Sequence, residues 1–479
     1  MSLITKMFCL ALAFATMASC TPKQTKVEIK PNVVFVLTDQ WRAQDLGFMG
    51  NEQVQTPAID QLAEEAVVFT NAVSNIPVCT PARATLMTGK YPLSHGVFYN
   101  DKPLKSEEYC IAEVYKENGY KTGYIGKWHI NGHPSGMSNS EGRLLPVTAD
   151  RRQGFDYWKV HECTHNYNNS EYFDENDVKH KWEGYDAIAQ TKDAIKYMQV
   201  NKENPFVLFL SYGPPHAPYQ TAPAKYQEIY KDMDIKLRPN VPEELEETAK
   251  EAIRGYYAHM SALDYCVAEL QTEIKNLGLE ENTIFVFTSD HGDMLYSHAQ
   301  TKKQKPWEES ILVPFILKYP AKFKGGERLT KVFSYPDIMP TLLSLCNLPI
   351  PETVEGVDYK GQLLGTEDLD IDGAFITCPV PFHQWNYKKG GKEFRGIRTE
   401  RYTYAKDLNG PWLLYDNSSD PYQLDNLVNN PEYREIQTDL EAKLQKMLDE
   451  RGDKFLDGAE YMKAWGYHWD NNDSVKITK

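Results

Sequence analysis

Short apolar runs, each closed by polar residues, recur along the chain at 33–37, 122–125, 206–210, 283–287 and 313–317. Their length and their content of Val, Ile and Phe predict buried strands of a parallel sheet. Between them, apolar positions at helical spacing predict helices over 58–66, 111–118, 185–200 and 246–277. Strand alternating with helix predicts an α/β sheet. Past about residue 365 the texture changes. Short β segments are expected at 374–377, 396–399, 402–405 and 412–415, followed by a helix over 431–453 with Leu440, Leu444 and Leu448 on one stripe.

The ends of the predicted strands carry the chemistry. The first run leads into Asp39-Gln40, the second into Gly126-Lys127-Trp128-His129, the third into Pro215-His216 and the fourth into Asp290-His291-Gly292. In an open α/β sheet, residues just beyond strand C-terminal ends converge on one crevice. One polar hand-off is ordinary. Several in metal- and anion-binding residue types point to a site.

Composition narrows the class. With 41% hydrophobic and 25% charged residues the chain has material for a sizeable core, which excludes a fully disordered protein. A net charge of −15 argues against nucleic-acid binding as the main task. Eight cysteines in 479 residues are too few for a disulfide scaffold, and none form a CxxC pair. The start of the chain reads as a leader. Lys6 precedes an apolar stretch, Met7 to Ala18, shorter than the roughly 20 residues of a spanning helix. It ends Met17-Ala18-Ser19-Cys20, which resembles a bacterial lipobox with Met in place of the usual Leu. That resemblance implies a signal peptide over 1–19, acylation of Cys20 and a polar tether over 20–31. It also implies export and membrane anchoring, on the periplasmic or the cell-surface side.

The segment Cys79-Thr80-Pro81-Ala82-Arg83, with Thr88-Gly89 downstream, adds a candidate nucleophile at the start of a predicted helix over 81–87. A helix N-terminus favours anionic groups, including a thiolate. This segment matches the signature of the formylglycine-dependent sulfatases of the alkaline phosphatase superfamily. The strand-end motifs, and Lys303 four residues before Trp307, match the same family in order across most of 32–430. The resemblance implies an N-terminal catalytic α/β domain over 32–370, with a mostly parallel central sheet flanked by helices. It also implies a smaller C-terminal α/β part over 371–479, with a short antiparallel sheet and a helix, completing the substrate cleft.

The resemblance further implies that a maturation enzyme oxidises Cys79 to formylglycine. The hydrated aldehyde attacks sulfur, forms a sulfo-enzyme intermediate and expels sulfate by re-forming its C=O. Asp39, Gln40, Asp290 and His291, together with the modified Cys79, match the metal position. The family uses one calcium ion there, a hard cation suited to oxygen ligands. By the same carry-over Arg83 and Lys127 hold the formylglycine and sulfate oxygens, and His129 takes the proton that drives sulfate elimination. His216 or Lys303 is the general acid on the leaving-group side, with His216 favoured because histidine donates near neutral pH. A divalent cation and three basic side chains against two carboxylates leave the pocket positive inside an acidic chain.

The alcohol side of the substrate is expected where the two parts meet. The loop 161–173 is rich in His, Asn and Tyr, and 382–398 is rich in aromatic and charged residues. Trp385, Glu393 and Arg395 are the candidates there for binding a sugar. The His161/His165 pair is rejected as a zinc site, and His95 and Asn100 are read as structural. His298 and Asp293 stand evenly between supporting the metal loop and a solvated turn. The function expected is exo-acting removal of sulfate from sulfated glycans. The alternatives are a phosphonate or phosphodiester hydrolase of the same superfamily and a catalytically silent glycan-binding lipoprotein.

Overall fold

Eight consecutive buried residues, Asn32–Asp39 (β1), form the middle of a ten-stranded sheet. The other strands in chain order are Val67–Phe69 (β2), Lys121–Lys127 (β3), Tyr157–His161 (β4), Glu171–Phe173 (β5), Lys179–Lys181 (β6), Phe206–Pro215 (β7), Thr283–Ser289 (β8), Phe315–Lys318 (β9) and Glu327–Leu329 (β10). They lie in the order β10-β2-β9-β8-β1-β7-β3-β4-β5-β6. The computed structural model describes residues 30–132, 137, 139–469 and 475–477. The leader, Cys20 and almost all of the tether lie outside the described residues.

The block β8-β1-β7-β3-β4 is parallel throughout. The run at 313–317, expected as one more parallel strand, is instead antiparallel to both β8 and β2. Its chain direction explains this. It leaves the C-terminal end of β8 through the loop that carries Asp290 to Lys303 and returns beside β8 without a crossover. The sheet is therefore mostly parallel, with antiparallel pairs toward both edges.

Alternation along β1 divides the core into two layers. Val33, Phe35 and Leu37 pack with Leu86, Met87 and Ile111, from helices Cys79–Thr88 (α1) and Ile111–Glu117 (α2). Val34 and Val36 pack with Met198, Leu263 and Val267, from Asp186–Asn201 (α3) and Glu246–Asn276 (α4). Every residue of α1 is buried. Its small residues Ala82, Ala84 and Thr85 let it sit close against the sheet.

The second sheet is antiparallel: Ala374–Cys378 (β11), Phe394–Arg398 (β12), Tyr402–Asp407 (β13) and Gly410–Asp416 (β14). Helix Arg434–Glu450 (α5) lays Leu440, Leu444 and Leu448 against Phe375, Ile397 and Leu414. A buried ion pair joins this sheet to the connection between β8 and β9, Arg398 Nη2 to Glu308 Oε2 at 2.8 Å. Gln304 does the same by exchanging two hydrogen bonds with the backbone of Phe382. These ties hold 382–384 above the end of the parallel sheet. Cys79, Cys110, Cys163, Cys266, Cys346 and Cys378 are all buried and unpaired.

One backbone position controls the approach of β3 to β7. Gly126 has φ +102°, and a Cβ there would lie 2.1 Å from the Ser211 carbonyl oxygen. That contact is with backbone, which cannot step aside. Gly126→Ala is expected to lower unfolding stability by about 2–4 kcal/mol, read from urea titration.

Candidate active site

Four adjacent strands deliver the site. β1 ends in Asp39, β3 in Lys127, β7 leads to His216 and β8 to Asp290 and His291. Because these strands run parallel, all four ends open on the same edge. The first residue of α1, Cys79, enters from above with its sulfur buried among them. Its Sγ lies 3.1 Å from His291 Nε2, 3.2 Å from Lys303 Nζ and 3.6 Å from Asp39 Oδ1.

Arg83 is one helical turn along α1, so its guanidinium folds beneath the same end of the helix. It reaches Asp290 Oδ2 at 3.0 Å, Asp39 Oδ2 at 3.2 Å and the Ser211 hydroxyl at 2.6 Å. Lys127 Nζ donates to the same oxygen of Asp39 at 2.5 Å. All four charged side chains are almost wholly excluded from solvent. Burial raises the Asp39 carboxyl, but Lys127, with His216, Lys303 and Arg83, holds it well below the usual carboxylate range. Asp290 moves the other way. Burial and the charge of Asp39 raise it, against His291 and Arg83. The Cys79 thiol is opposed by burial and Asp39, yet Lys127, Lys303 and His291 bring it well below its ordinary value.

The ligand atoms of Asp39, Cys79, Asp290 and His291 all lie within 4.8 Å of one another. His291 Nδ1 lies 2.9 Å from the Gly292 carbonyl oxygen. A proton there, donated to that oxygen, turns the Nε2 lone pair toward the carboxylates, the orientation a metal-bound imidazole needs. Two buried carboxylates and a neutral ring nitrogen make a donor set that fits a divalent cation. Gln40 is adjacent but occupied. Its carboxamide oxygen accepts from Lys303 Nζ at 2.8 Å, and its Nε2 donates to Asp293 Oδ2 at 2.6 Å. Asp293 is buried and also accepts from the backbone amides of Leu295 and Lys302, so it braces the loop. His298 faces Asn240 and stacks on Trp307, away from the metal group.

Above this floor opens a cavity of about 320 Å³, lined by Cys79, Lys127, His129, His216 and Lys303 and, higher up, by Tyr99, Arg143, His165 and Phe382 to Gln384. His216 stacks on His165 with ring centroids 4.6 Å apart. Burial and Lys303 push His216 well below its ordinary value. His129 is raised to about 9. Burial opposes this, and Cys163, Asp101 and Cys79 outweigh burial and Lys127. Its Nε2 lies 3.2 Å from Asp101 Oδ1, and Arg143 grips both oxygens of the same carboxylate.

The structure gathers Asp39, Gln40, Cys79, Arg83, Lys127, His129, His216, Asp290, His291 and Lys303 in one place. It does not bring Trp385, Glu393 or Arg395 to the cavity. Trp385 is buried against Phe394 and Trp412 in the second sheet's own core. Glu393 accepts from the Gly458 amide and from the Tyr387 hydroxyl. Arg395 is fully buried against Asp453, with Nη2 donating to the Tyr461 hydroxyl at 3.1 Å. All three hold the C-terminal part together. From the expected segments the cavity takes His165 and 382–384 instead. It also takes Asp101 and Arg143, which no sequence pattern marked. Asn100, read as structural, both lines the cavity and accepts from the Thr80 amide at 3.2 Å. His95 is structural, held by Thr85 and Val97. His161 and His165 join no metal-ligating group among the described residues.

Residues 31–348 match the sulfatase family model, and 297–450 match the model of the N-sulphoglucosamine sulphohydrolase C-terminal region. The chain belongs to the sulfatase family. It is a sulfuric ester hydrolase. This sulfatase is 43% identical to an ulvan-active sulfatase of Formosa agariphila, over 95% of this chain and 89% of that one. It is 31% identical to an endo-4-O-sulfatase of Bacteroides thetaiotaomicron, over 92% of this chain and 96% of that one. A solved structure from work on glycosaminoglycan metabolism by Bacteroides thetaiotaomicron superposes with a TM-score of 0.81 at 28% identity, covering 91% of this chain and 99% of that one.

The shared guanidinium makes a specific demand on stability. Arg83→Met leaves Asp39 and Asp290 facing each other without it, and is expected to cost about 3–5 kcal/mol in chelator-containing buffer. Arg83→Met/Asp290→Asn should recover part of that loss in urea titration, because one of the two charges is gone.

Proposed function

We propose that this sulfatase removes terminal O-sulfate from sulfated glycans, with formylglycine in place of Cys79 and a calcium ion held by Asp39, Asp290 and His291, and by Gln40 once its carboxamide oxygen leaves Lys303. The observation that carries the reading is the seat of Cys79. Its sulfur faces two carboxylates, a histidine nitrogen and two lysines at the bottom of the cavity. The printed name of the ulvan-active relative supports a carbohydrate substrate. A cavity of about 320 Å³ lies at the small end of ligand sites, which favours one terminal ring over a chain lying across it. The apolar leader and Cys20 support export and lipid anchoring, on the periplasmic or the cell-surface side.

Hydrated formylglycine supplies an oxygen nucleophile for sulfur and, by re-forming its C=O, a way to expel sulfate without water attacking sulfur. The cation supplies a fixed positive charge. The chain's own residues do the rest. Arg83 fixes the orientation of Asp39 and Asp290. Lys127 and Lys303 flank the position of Cys79 and offset the negative charge of the sulfate ester. His129, held through Nε2 by Asp101, takes the proton from residue 79 that drives sulfate out. His216 faces the cavity on the leaving-group side. Its Nδ1 lies 2.8 Å from the Ala217 carbonyl oxygen and donates to it, so Nε2 can give a proton to the sugar oxygen only from the doubly protonated ring, a form that the negative charge of the bound sulfate favours.

Wild type should release sulfate from chain ends at least about tenfold faster than from internal positions of the same oligosaccharide, and Cys79→Ala should lose at least about a thousandfold of turnover with its fold intact. Ion chromatography of sulfate and circular dichroism read both. Faster internal release would exclude exo action, and retained Cys79→Ala turnover would exclude the nucleophile. Exhaustive chelation should abolish activity, with calcium restoring wild type but not Asp290→Ala, and metal content following activity.

A further inference from the structure

Among the charged side chains lining the cavity, most belong to the floor or to the proton-transfer machinery. Lys127 and Lys303 surround Cys79, and Asp101 and His129 are bonded to each other. Arg143 is the exception. It enters from the poorly patterned segment after residue 138, with its side chain 24% exposed. Its Nε donates to Asp101 Oδ1 at 2.9 Å and one Nη to Asp101 Oδ2 at 2.8 Å. The second Nη group has no partner among the described residues.

The bidentate grip removes most of the rotational freedom of a long side chain, so little entropy is left to lose when a ligand arrives. Asp101 does not cancel the guanidinium charge, because the same carboxylate also serves His129. The neighbours on the upper wall, Tyr99, Asn100, His165, His383 and Gln384, offer hydrogen bonds. The walls above the floor thus contain one preorganised cation with an unused planar donor group. Such a group fits an oxyanion.

We propose that Arg143 takes a second anionic group of the substrate, a carboxylate or a second sulfate on the same sugar or on the ring next to it. This rests on the sulfatase reading above and narrows its substrate class to sugars carrying two anionic groups. The scissile sulfate belongs on the floor, and the second anion lies at the free edge of the Arg143 guanidinium on the upper wall.

The test uses matched probes on the full chain: a sulfated uronate with its methyl ester, and a disulfated neutral sugar with its monosulfated counterpart. Wild type should prefer the more highly charged member of at least one pair by about 10–100-fold in kcat/KM, chiefly through KM. Preference for the acid over the ester identifies a carboxylate, and preference for the disulfate identifies a sulfate. Arg143→Gln should bring the preference to within about threefold, and Arg143→Lys should keep part of it. No preference in wild type, or an undiminished preference in Arg143→Gln, overturns the assignment. Wild-type turnover of 4-nitrophenyl sulfate, measured alongside, reports on the sulfatase reading by itself. A missing preference with intact turnover therefore counts against Arg143 alone.

Discussion

Two carboxylates buried side by side are costly unless something positive lies between them. In this sulfatase that something is Arg83, which reaches both Asp39 and Asp290 from one turn inside α1. The arrangement constrains much of the fold. α1 must lie close to the sheet for the guanidinium to reach, and its small residues allow it. β1 and β8 must be neighbours in register for their terminal carboxylates to share one cation. The other Nη of Arg83 donates to the Ser211 hydroxyl on β7 and to the Lys127 carbonyl oxygen at the end of β3. A buried ion pair is weak evidence for stability in itself, since desolvation offsets much of the attraction. Its value here is positional: it fixes two carboxylates and the helix that carries Cys79 in one rigid frame.

The electrostatics of that frame are uneven. Asp39 faces Lys127, Lys303 and Arg83 and stays ionised, while Asp290 is raised by burial and by Asp39. A divalent cation would relieve the strain on Asp290 directly. Cys79 sits in the same field and is pulled down, whereas burial pushes Cys110, Cys266, Cys346 and Cys378 up. The field distinguishes one thiol from others equally hidden from solvent.

The floor of the site was legible in the sequence because it is local. A strand followed by Asp-Gln, Lys-Trp-His or Asp-His-Gly declares its own position, and parallel pairing then brings the ends together. Helix and strand spans came close for the same reason, apart from the direction of β9, which depends on how its loop returns. The upper wall was not legible. Asp101 and Arg143 meet only after folding, across segments with no periodicity. Trp385, Glu393 and Arg395 were misplaced because composition does not say which way a side chain faces. Arg395 points at Asp453, a partner 58 residues away that no local pattern reveals.

The catalytic floor and the upper wall have different structural origins. The floor belongs to strands that are each paired on both sides, so shifting one residue there disturbs two neighbours. The wall comes from separate excursions, around 99–101, 143, 165 and 382–384, of which 99–101 also braces His129 through Asp101. A duplicated copy of such a chain could exchange 382–384 and acquire a new substrate while its chemistry stayed intact. The architecture therefore favours diversification by piecemeal replacement, with reactivity inherited and selectivity rebuilt.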